Sequence, residues 1–504
     1  MKNQWGTILL IAICYVGMSC NRTAKQERER LPKPNILLLM SDNHYVDHLG
    51  CYGDPVVKTP TIDRLAKEGV RFTHAFCGSP SCTPARSALL AGQDIWRLGE
   101  GGNLWSTLAD SIPIYTDLLE EIGYHVGHDR KGWGPGDFAA GGRSRNPAGY
   151  TFQDFGEFLS ATEATAPWCY WLSSKNPHRP FTEGSGIASG MDPNQVVVPP
   201  YLPDVAEVRS DICDYYHEIQ DFDREVAEAI ALVKERGELD RTVIMICGDN
   251  GWMMPRGLAN LYDFGTRVPL IISWPDKFPS GRVVSDFVSL NDLAPTILEL
   301  AGLPIPSEMT AQSLTSILHS EKEGQIETNR DFIVTARERH ALVRKGGLGY
   351  PGRAIRTKDF LYIHNITPDR WPAGDPPLFG DIDLHMLHKP TPTKEYMMEF
   401  KDRKSVWHLY EMAFLKRAEE ELFDLRTDPY QMKNLAYDPT YQSAKEALKL
   451  QLQTYLTDTK DPRVLGQPAL WDEYHYYKDK DWVGTPRKEA QEKFGLKAEY
   501  SYRK

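Results

Sequence analysis

The chain has 504 residues, with 58 Lys and Arg against 69 Asp and Glu, and a formal net charge of -11 at pH 7. This length exceeds one ordinary domain and is enough to bury a large core. The acidic balance argues against a general nucleic-acid binder, which presents a basic face, but not against a small anionic substrate held in a locally positive pocket.

At the start of the chain, Lys2 precedes an apolar run over residues 8–16, closed by Gly17-Met18-Ser19-Cys20. A short basic-then-apolar opening that ends in small residues reads as an export signal, too short for a good membrane span. Ending on Cys20, with Gly17 and Met18 as an imperfect lipobox, it resembles a bacterial lipoprotein signal; ordinary signal-peptidase cleavage near Ser19 is the alternative. The expectation is a signal over residues 1–20 and a polar tether over 21–33. The product would be exported to the periplasm, with contact to the membrane only through a lipid anchor.

Next come apolar runs alternating with amphipathic segments. Residues 35–40, 243–247 and 269–274 are short and apolar, which suits buried parallel strands. Helices are expected over 59–69, which has Pro and Asp near its start and Gly at its end, over 208–235, and over 290–301. Strands alternating with helices imply an α/β sandwich around a mainly parallel sheet, placed at 34–330. After about residue 330 the pattern changes. A strand-like piece at 360–364 is followed by a Pro-rich loop over 371–394, a helical stretch over 405–421, another short apolar piece at 422–425 and a helix over 441–457. Residues 331–504 are thus expected to form a smaller α+β subdomain with an extended tail. The 12 Trp and 24 Tyr are read either as core or, for a few, as the lining of a carbohydrate cleft.

Beyond Cys14 and Cys20 in the signal, six cysteines remain: Cys51, Cys77, Cys82, Cys169, Cys213 and Cys247. They show no CxxC pair and no metal-ligand spacing. Cys77 and Cys82 are the nearest pair for a bridge; buried free thiols are the other reading. Cys82 opens Cys82-Thr83-Pro84-Ala85-Arg86-Ser87, in which Pro84 fits the first turn of a helix. Cys82 is then expected just before a helix N-terminus, where backbone N–H groups favour an anion, with Arg86 able to hold a negative group beside it.

Cys82-x-Pro84-x-Arg86, continued by Ser87-Ala88-Leu89-Leu90-Ala91-Gly92, resembles the modification signature of the sulfatase family. Further matching segments follow in order: Pro34-Asn35-Ile36 through Asp42, Thr59-Pro60 through Phe72, Gly248-Asp249-Asn250-Gly251, Gly265-Thr266-Arg267-Val268-Pro269-Leu270, and Glu421 through Leu425. The resemblance runs from about residue 33 to 440. It implies an alkaline-phosphatase-like sandwich, a calcium ion, and conversion of Cys82 to formylglycine by a formylglycine-generating or maturase enzyme. The hydrate would supply one hydroxyl to attack sulfur and a second to expel sulfate.

The resemblance also implies site residues. Asp42, Asn43, Cys82, Asp249 and Asn250 would hold the metal, oxygen donors suiting calcium. The family commonly has two aspartates where this chain has Asp42-Asn43, so the site carries one negative charge fewer. Lys131 is the sulfate-contacting lysine, but Trp133 stands where the family has His. His128 could fold in, or be a neutral histidine at a strand end. His178, in Asn176-Pro177-His178-Arg179, is the expected proton donor to the leaving group. Arg256 is the nearest match to a sulfate-contacting cation after Asn250, with a surface Arg as the alternative. Within the family the likeness is to N-sulfoglucosamine sulfohydrolases, carried by residues 176–179, 196–204 and 249–251 leading to 260–262. That likeness implies a sulfated, heparan-type saccharide as substrate, with Arg337, His340 and Arg353 as contacts for an acidic glycan. Two other readings stand beside it: a phosphonate or phosphate monoester hydrolase of the same superfamily, and a non-catalytic lipoprotein that binds sulfated glycans.

Overall fold

A computed structural model describes residues 33–478, 484–498, 500 and 502. The expected signal, and all of the tether but Lys33, lie outside these residues.

Eight strands build the main sheet: β1 (Asn35–Ser41), β2 (Val70–Phe76), β3 (His125–Asp129), β4 (Tyr150–Phe152), β5 (Trp168–Ser173), β6 (Thr242–Gly248), β7 (Leu270–Ser273) and β8 (Arg282–Ser289). Their order is β4-β3-β5-β1-β6-β7-β2-β8. β1 is central and buried along its whole length. It pairs in parallel with β5 on one side and β6 on the other. Being covered on both faces explains its unbroken apolar run: Leu37 and Leu39 enter one core, Ile36, Leu38 and Met40 the other.

The 269–274 run, expected as a parallel strand, forms β7 and runs antiparallel to β6 and β2. Residues 249–269 contain only a one-turn helix, Asp263–Thr266. They supply no long crossover helix to carry the chain back across the sheet, so β7 returns from the edge where β6 ends.

Helices flank the sheet. α1 (Pro60–Glu68) starts on Pro and stops before Gly69, within one residue of expectation. Its first amides donate to the carboxylate of Asp223, which lies on the long helix α3 (Ala206–Glu235). α2 (Cys82–Ala91) is buried at every residue. Cys82 is its first residue, one step inside the expected position, with Ser81 as N-cap. α3 (Ala206–Glu235) and α4 (Leu293–Leu300) match the remaining expected helices.

The second sheet is antiparallel, in the order β12-β11-β10-β9, from β9 (Phe332–Arg337), β10 (Gly352–Thr357), β11 (Phe360–Asn365) and β12 (Glu420–Asp424). The helix expected over 405–421 ends early, as α5 (Lys404–Phe414), because Glu420 and Glu421 already pair with β11. α6 (Gln442–Asp458) covers the last expected helix. The Pro-rich stretch is not plain loop: it holds a 3-10 turn, Leu384–Leu387, and a helix, Pro392–Glu399. All six described cysteines are free thiols, so the Cys77–Cys82 bridge does not form. No helix among the described residues is long and apolar enough to cross a membrane.

Candidate active site

Four neighbouring parallel strands, β3-β5-β1-β6, end on one edge of the sheet. Their carboxyl ends deliver Lys131, His178, the pair Asp42-Asn43 and the pair Asp249-Asn250, in the crevice where α/β sheets place their ligands. Asp42, Cys82, Lys131, His178 and His340 line one cavity of about 880 Å³. Asn43, Arg86, Asp249 and Asn250 are fully buried beneath it.

α2 aims its first turn at this crevice. Cys82 and Arg86 are four residues apart and so share one helix face. Arg86 donates from Nε to Asp249 Oδ2 (2.9 Å) and from Nη1 to Gly132 O (2.6 Å) and Ser173 Oγ (2.7 Å). Its Nη2 lies 3.5 Å from Asp42 Oδ2. Lys131 Nζ reaches the same Asp42 oxygen at 2.6 Å. The ends of β1 and β6 are tied together by Asn43 N, which donates to Asp249 Oδ1 at 2.9 Å. Asn43 sits at φ 66°, a left-handed conformation that Asn tolerates better than most residues.

Ligand atoms of Asp42, Cys82 and Asp249 all lie within 4.8 Å of one another. Cys82 Sγ is 3.4 Å from Asp42 Oδ1 and 3.8 Å from Asn43 Oδ1, and Asn250 Nδ2 is 3.7 Å from Sγ. The Asn250 side-chain oxygen, Oδ1, is buried and has no hydrogen-bond partner. A buried, unsatisfied acceptor beside two carboxylates suits a hard cation such as calcium, so the residues present fit the group the resemblance implies.

Two carboxylates buried together need compensation. Asp42 would be pushed up by burial, but Lys131, His178 and Arg86 outweigh it and hold it well below the usual range. Burial, then the Asp42 charge, pushes Asp249 up. Burial, followed by Asp42, also raises the Cys82 thiol, whereas reactive cysteines have depressed values. The site therefore does not present Cys82 as a thiolate nucleophile.

The other expected residues divide. His178 faces the cavity, but its Nδ1 must carry hydrogen, because it pairs with the Arg179 carbonyl oxygen. Burial pushes this ring down to about 4, against the pull of the Asp42 charge. His340 lines the cavity with Nδ1 on Ser81 Oγ (2.8 Å). His128 is buried between Asp129 O (3.0 Å) and Thr151 Oγ1 (3.1 Å), and burial pushes it down. Trp133, in place of an imidazole, donates to Ser87 Oγ (2.8 Å) and braces α2.

Three arginines are not brought to the cavity. Arg256 is buried on the Gln431 carbonyl oxygen and over the Tyr262 ring. Arg337 pairs with Asp381 and the Pro372 carbonyl oxygen. Arg353 is buried between Glu338 (2.8 Å) and Asp461 (2.7 Å). Each neutralises a buried partner or fills a polar niche in the fold, which is why none reaches over the pocket.

The sequence reading missed the roof of the cavity. The Pro-rich stretch contributes Asp381, Asp383, His385 and His388, while Trp105 and Tyr476 come from elsewhere in the chain. The signal was present as Asp381-Ile382-Asp383-Leu384-His385, a titratable cluster in a long loop, the kind of segment that carries function.

A mainly parallel sheet with an anion-compensating, oxygen-rich site at its carboxyl edge defines a hydrolase of the alkaline-phosphatase-like class. The sequence profile described as Sulfatase matches residues 34–303, and that described as N-sulphoglucosamine sulphohydrolase, C-terminal, matches 248–371. The chain belongs to the sulfatase family, whose members work through formylglycine.

Among its relatives, human N-sulphoglucosamine sulphohydrolase is 27% identical, over 87% of this chain and 93% of that protein. An ulvan-active sulfatase of Formosa agariphila is 25% identical over 93% and 92%. A protein solved with its substrate D-glucosamine-2-N,6-O-disulfate shares the fold at TM-score 0.61 and 19% identity, over 85% of this chain and 98% of that one. The phosphonate monoester hydrolase of Silicibacter pomeroyi shares it at TM-score 0.64 and 16% identity, over 88% and 100%.

Proposed function

We propose that this sulfatase removes sulfate, as ester or sulfamate, from sulfated glycans, with heparan-type saccharides as the substrate class. The observation that carries the reading is the convergence of Cys82 and Arg86 from α2 with Lys131, Asp42 and Asp249 from the ends of β3, β1 and β6 at the floor of one cavity. The names of the human relative and of the solved complex with a sulfated glucosamine support the substrate class.

Residue 82 as formylglycine, with calcium beside it, supplies a nucleophilic hydroxyl and a Lewis acid. Asp42, Asn43, Asp249 and Asn250, with residue 82, would hold that cation. Arg86 fixes Asp249 and balances the buried charge. Lys131 reaches into the cavity and neutralises a sulfate oxygen. His178, held at Nδ1 by the Arg179 carbonyl oxygen, offers Nε2 for proton donation to the leaving group, and His340 limits the cavity beside Ser81. Residues 34–330 form the catalytic unit and 331–504 a subdomain that roofs it, since the Asp381–His385 segment lines the same cavity. The opening residues support export, with Cys20 as a lipid attachment point, and a formylglycine-generating enzyme as partner.

The test is coexpression with such an enzyme, mass spectrometry across Cys82, and sulfate release from defined saccharides. Aldehyde at residue 82 with sulfate released from sulfated glucosamine is the expected result. Complete conversion with no release from any sulfated saccharide would sink the reading. The second reading, phosphonate monoester hydrolysis, is favoured by the fold shared with the Silicibacter pomeroyi enzyme. Faster turnover of a phenyl phosphonate ester than of every sulfate would select it.

A further inference from the structure

The roof of the cavity comes from residues 378–388, a stretch with one 3-10 turn, so its shape depends on where its backbone groups find partners. Gly380, Asp381, Asp383, Leu384 and His385 line the cavity with Cys82 and Asp42, and the His385 ring meets the His178 ring edge-on at 5.2 Å. The backbone of this stretch gathers around one buried ammonium. Lys394 Nζ donates to Leu378 O (2.9 Å), Phe379 O (3.0 Å) and Ile382 O (2.5 Å), and Asp383 O lies at 3.5 Å. An ammonium has three N–H groups, so the roof backbone takes all of them.

Lys394 is 1% exposed and stands on the helix Pro392–Glu399. The start of that helix is pinned to α3, where Asp211 Oδ2 accepts from Thr393 Oγ1 at 2.6 Å. Asp211 also pairs with Arg179 (2.6 Å), whose Nε reaches Asp383 at 2.5 Å. One aspartate of α3 thus locates both the ammonium and the Asp383 carboxylate. Phe379 and Asp383 both have φ 48°, in the left-handed region that residues other than Gly seldom enter, and the carbonyl of each is among the four around Nζ. Burial pushes Lys394 down to about 8, with the charges of Asp383, Glu395 and Asp381 acting against it, which leaves an ammonium at pH 7. An apolar side chain in its place would remove three hydrogen bonds from this backbone at once.

We propose that Lys394 is the positioning residue of the roof: its ammonium sets the backbone of residues 378–383 in the shape that holds a saccharide over the floor of the cavity. This rests on the sulfatase reading above and goes beyond it, because Lys394 acts from behind the residues that line the cavity. The floor, where Cys82, Arg86, Lys131, Asp42 and Asp249 meet, is built from strand ends and α2 rather than from this stretch. Removing the ammonium therefore loosens the hold on the sugar while the chemistry at the floor persists. Such binding is lost equally from the ground state and the transition state, so the loss falls on KM.

The experiment compares a sugar substrate with one that offers the roof no sugar to hold. Wild-type, K394M and K394A enzymes, all with residue 82 converted, are assayed on D-glucosamine carrying N- and 6-O-sulfate and on 4-nitrophenyl sulfate. In K394M, KM for the sugar is expected to rise about 10-fold or more with kcat within about threefold of wild type, and both constants for 4-nitrophenyl sulfate to stay within about threefold. The retained aryl rate itself shows that the variant is folded. In K394A, methylammonium chloride should bring KM for the sugar back toward wild type, because its –NH3+ can donate to the same carbonyl oxygens. Tetramethylammonium chloride, which has no N–H, should not. Equal losses on both substrates, an unchanged KM for the sugar, the same response to both salts, or failure of both variants to fold overturns the proposal. Wild-type enzyme inactive on both sulfates is a different result, which removes the sulfatase reading and this inference with it.

Discussion

Cys82 and Arg86 are legible in the sequence because the helix itself sets their geometry: four residues apart, they lie on one face whatever surrounds them. Their partners come from elsewhere in the chain, and the cost of burying charge decides which partners they take. Asp94 shows the same cost away from the site. Burial pushes it up to about 6, against hydrogen bonds from Thr310 and Tyr455. A carboxyl raised in the folded state binds its proton more tightly there than in the unfolded chain. Its contribution is therefore most favourable at low pH and declines as pH rises from about 4 to about 6. Asp94→Asn removes that decline. The variant is expected to gain stability over wild type through this window, levelling at about 2–3 kcal/mol above pH 6, as read by denaturant unfolding at a series of pH values. A constant difference from pH 4 to 7 would refute the assignment.

At the scale of elements, the strand ends and the turns that follow them carry the site. After β6, Gly251 packs so closely on the Asp263–Thr266 turn that a Cβ would lie 1.8 Å from Phe264 O. Gly251→Ala must displace the backbone that presents Asp249 and Asn250, and a shift of this kind is expected to lower kcat/KM by about 100-fold or more. Circular dichroism close to wild type alongside that loss would locate the damage at the site. In the second sheet, Arg353 on β10 joins Glu338 to Asp461, which follows α6. Arg353→Met leaves the buried Asp461 carboxylate without its cation and Glu338 with Arg463 alone, and is expected to cost about 3–5 kcal/mol in urea unfolding. Because Arg353 lies outside the cavity, kcat/KM at 25 °C should stay within twofold of wild type. A selective rise in KM for sulfated saccharides would restore it as a substrate contact.

For the whole molecule, one cavity lies between the carboxyl edge of the main sheet and a roof supplied by the 371–394 stretch and the tail. Cation binding at the floor adds stability in proportion to RT ln(1 + [L]/Kd), about 2.7 kcal/mol at 100 times Kd. Treatment with EGTA should therefore lower Tm and abolish sulfate release, with both restored by calcium. An unchanged Tm on chelation would speak against a resident cation. The sequence by itself determined the alternation of β1, α1, α3, α4 and β6, because burial on both faces of a parallel sheet demands unbroken apolar runs. It also determined the Cys82–Arg86 motif, because that geometry is local. Only the tertiary structure decided the direction of β7, the early end of α5, and which distant charges meet. Arg256, Arg337 and Arg353 looked like free cations in the sequence and proved to be internal partners, since a buried guanidinium takes the nearest acceptor the fold provides. The titratable roof, with Asp383 facing His385, depends on a long loop folding back over the sheet edge. No periodicity encodes that return; it is fixed by Arg179, Arg337 and Arg344, each holding an aspartate of the loop.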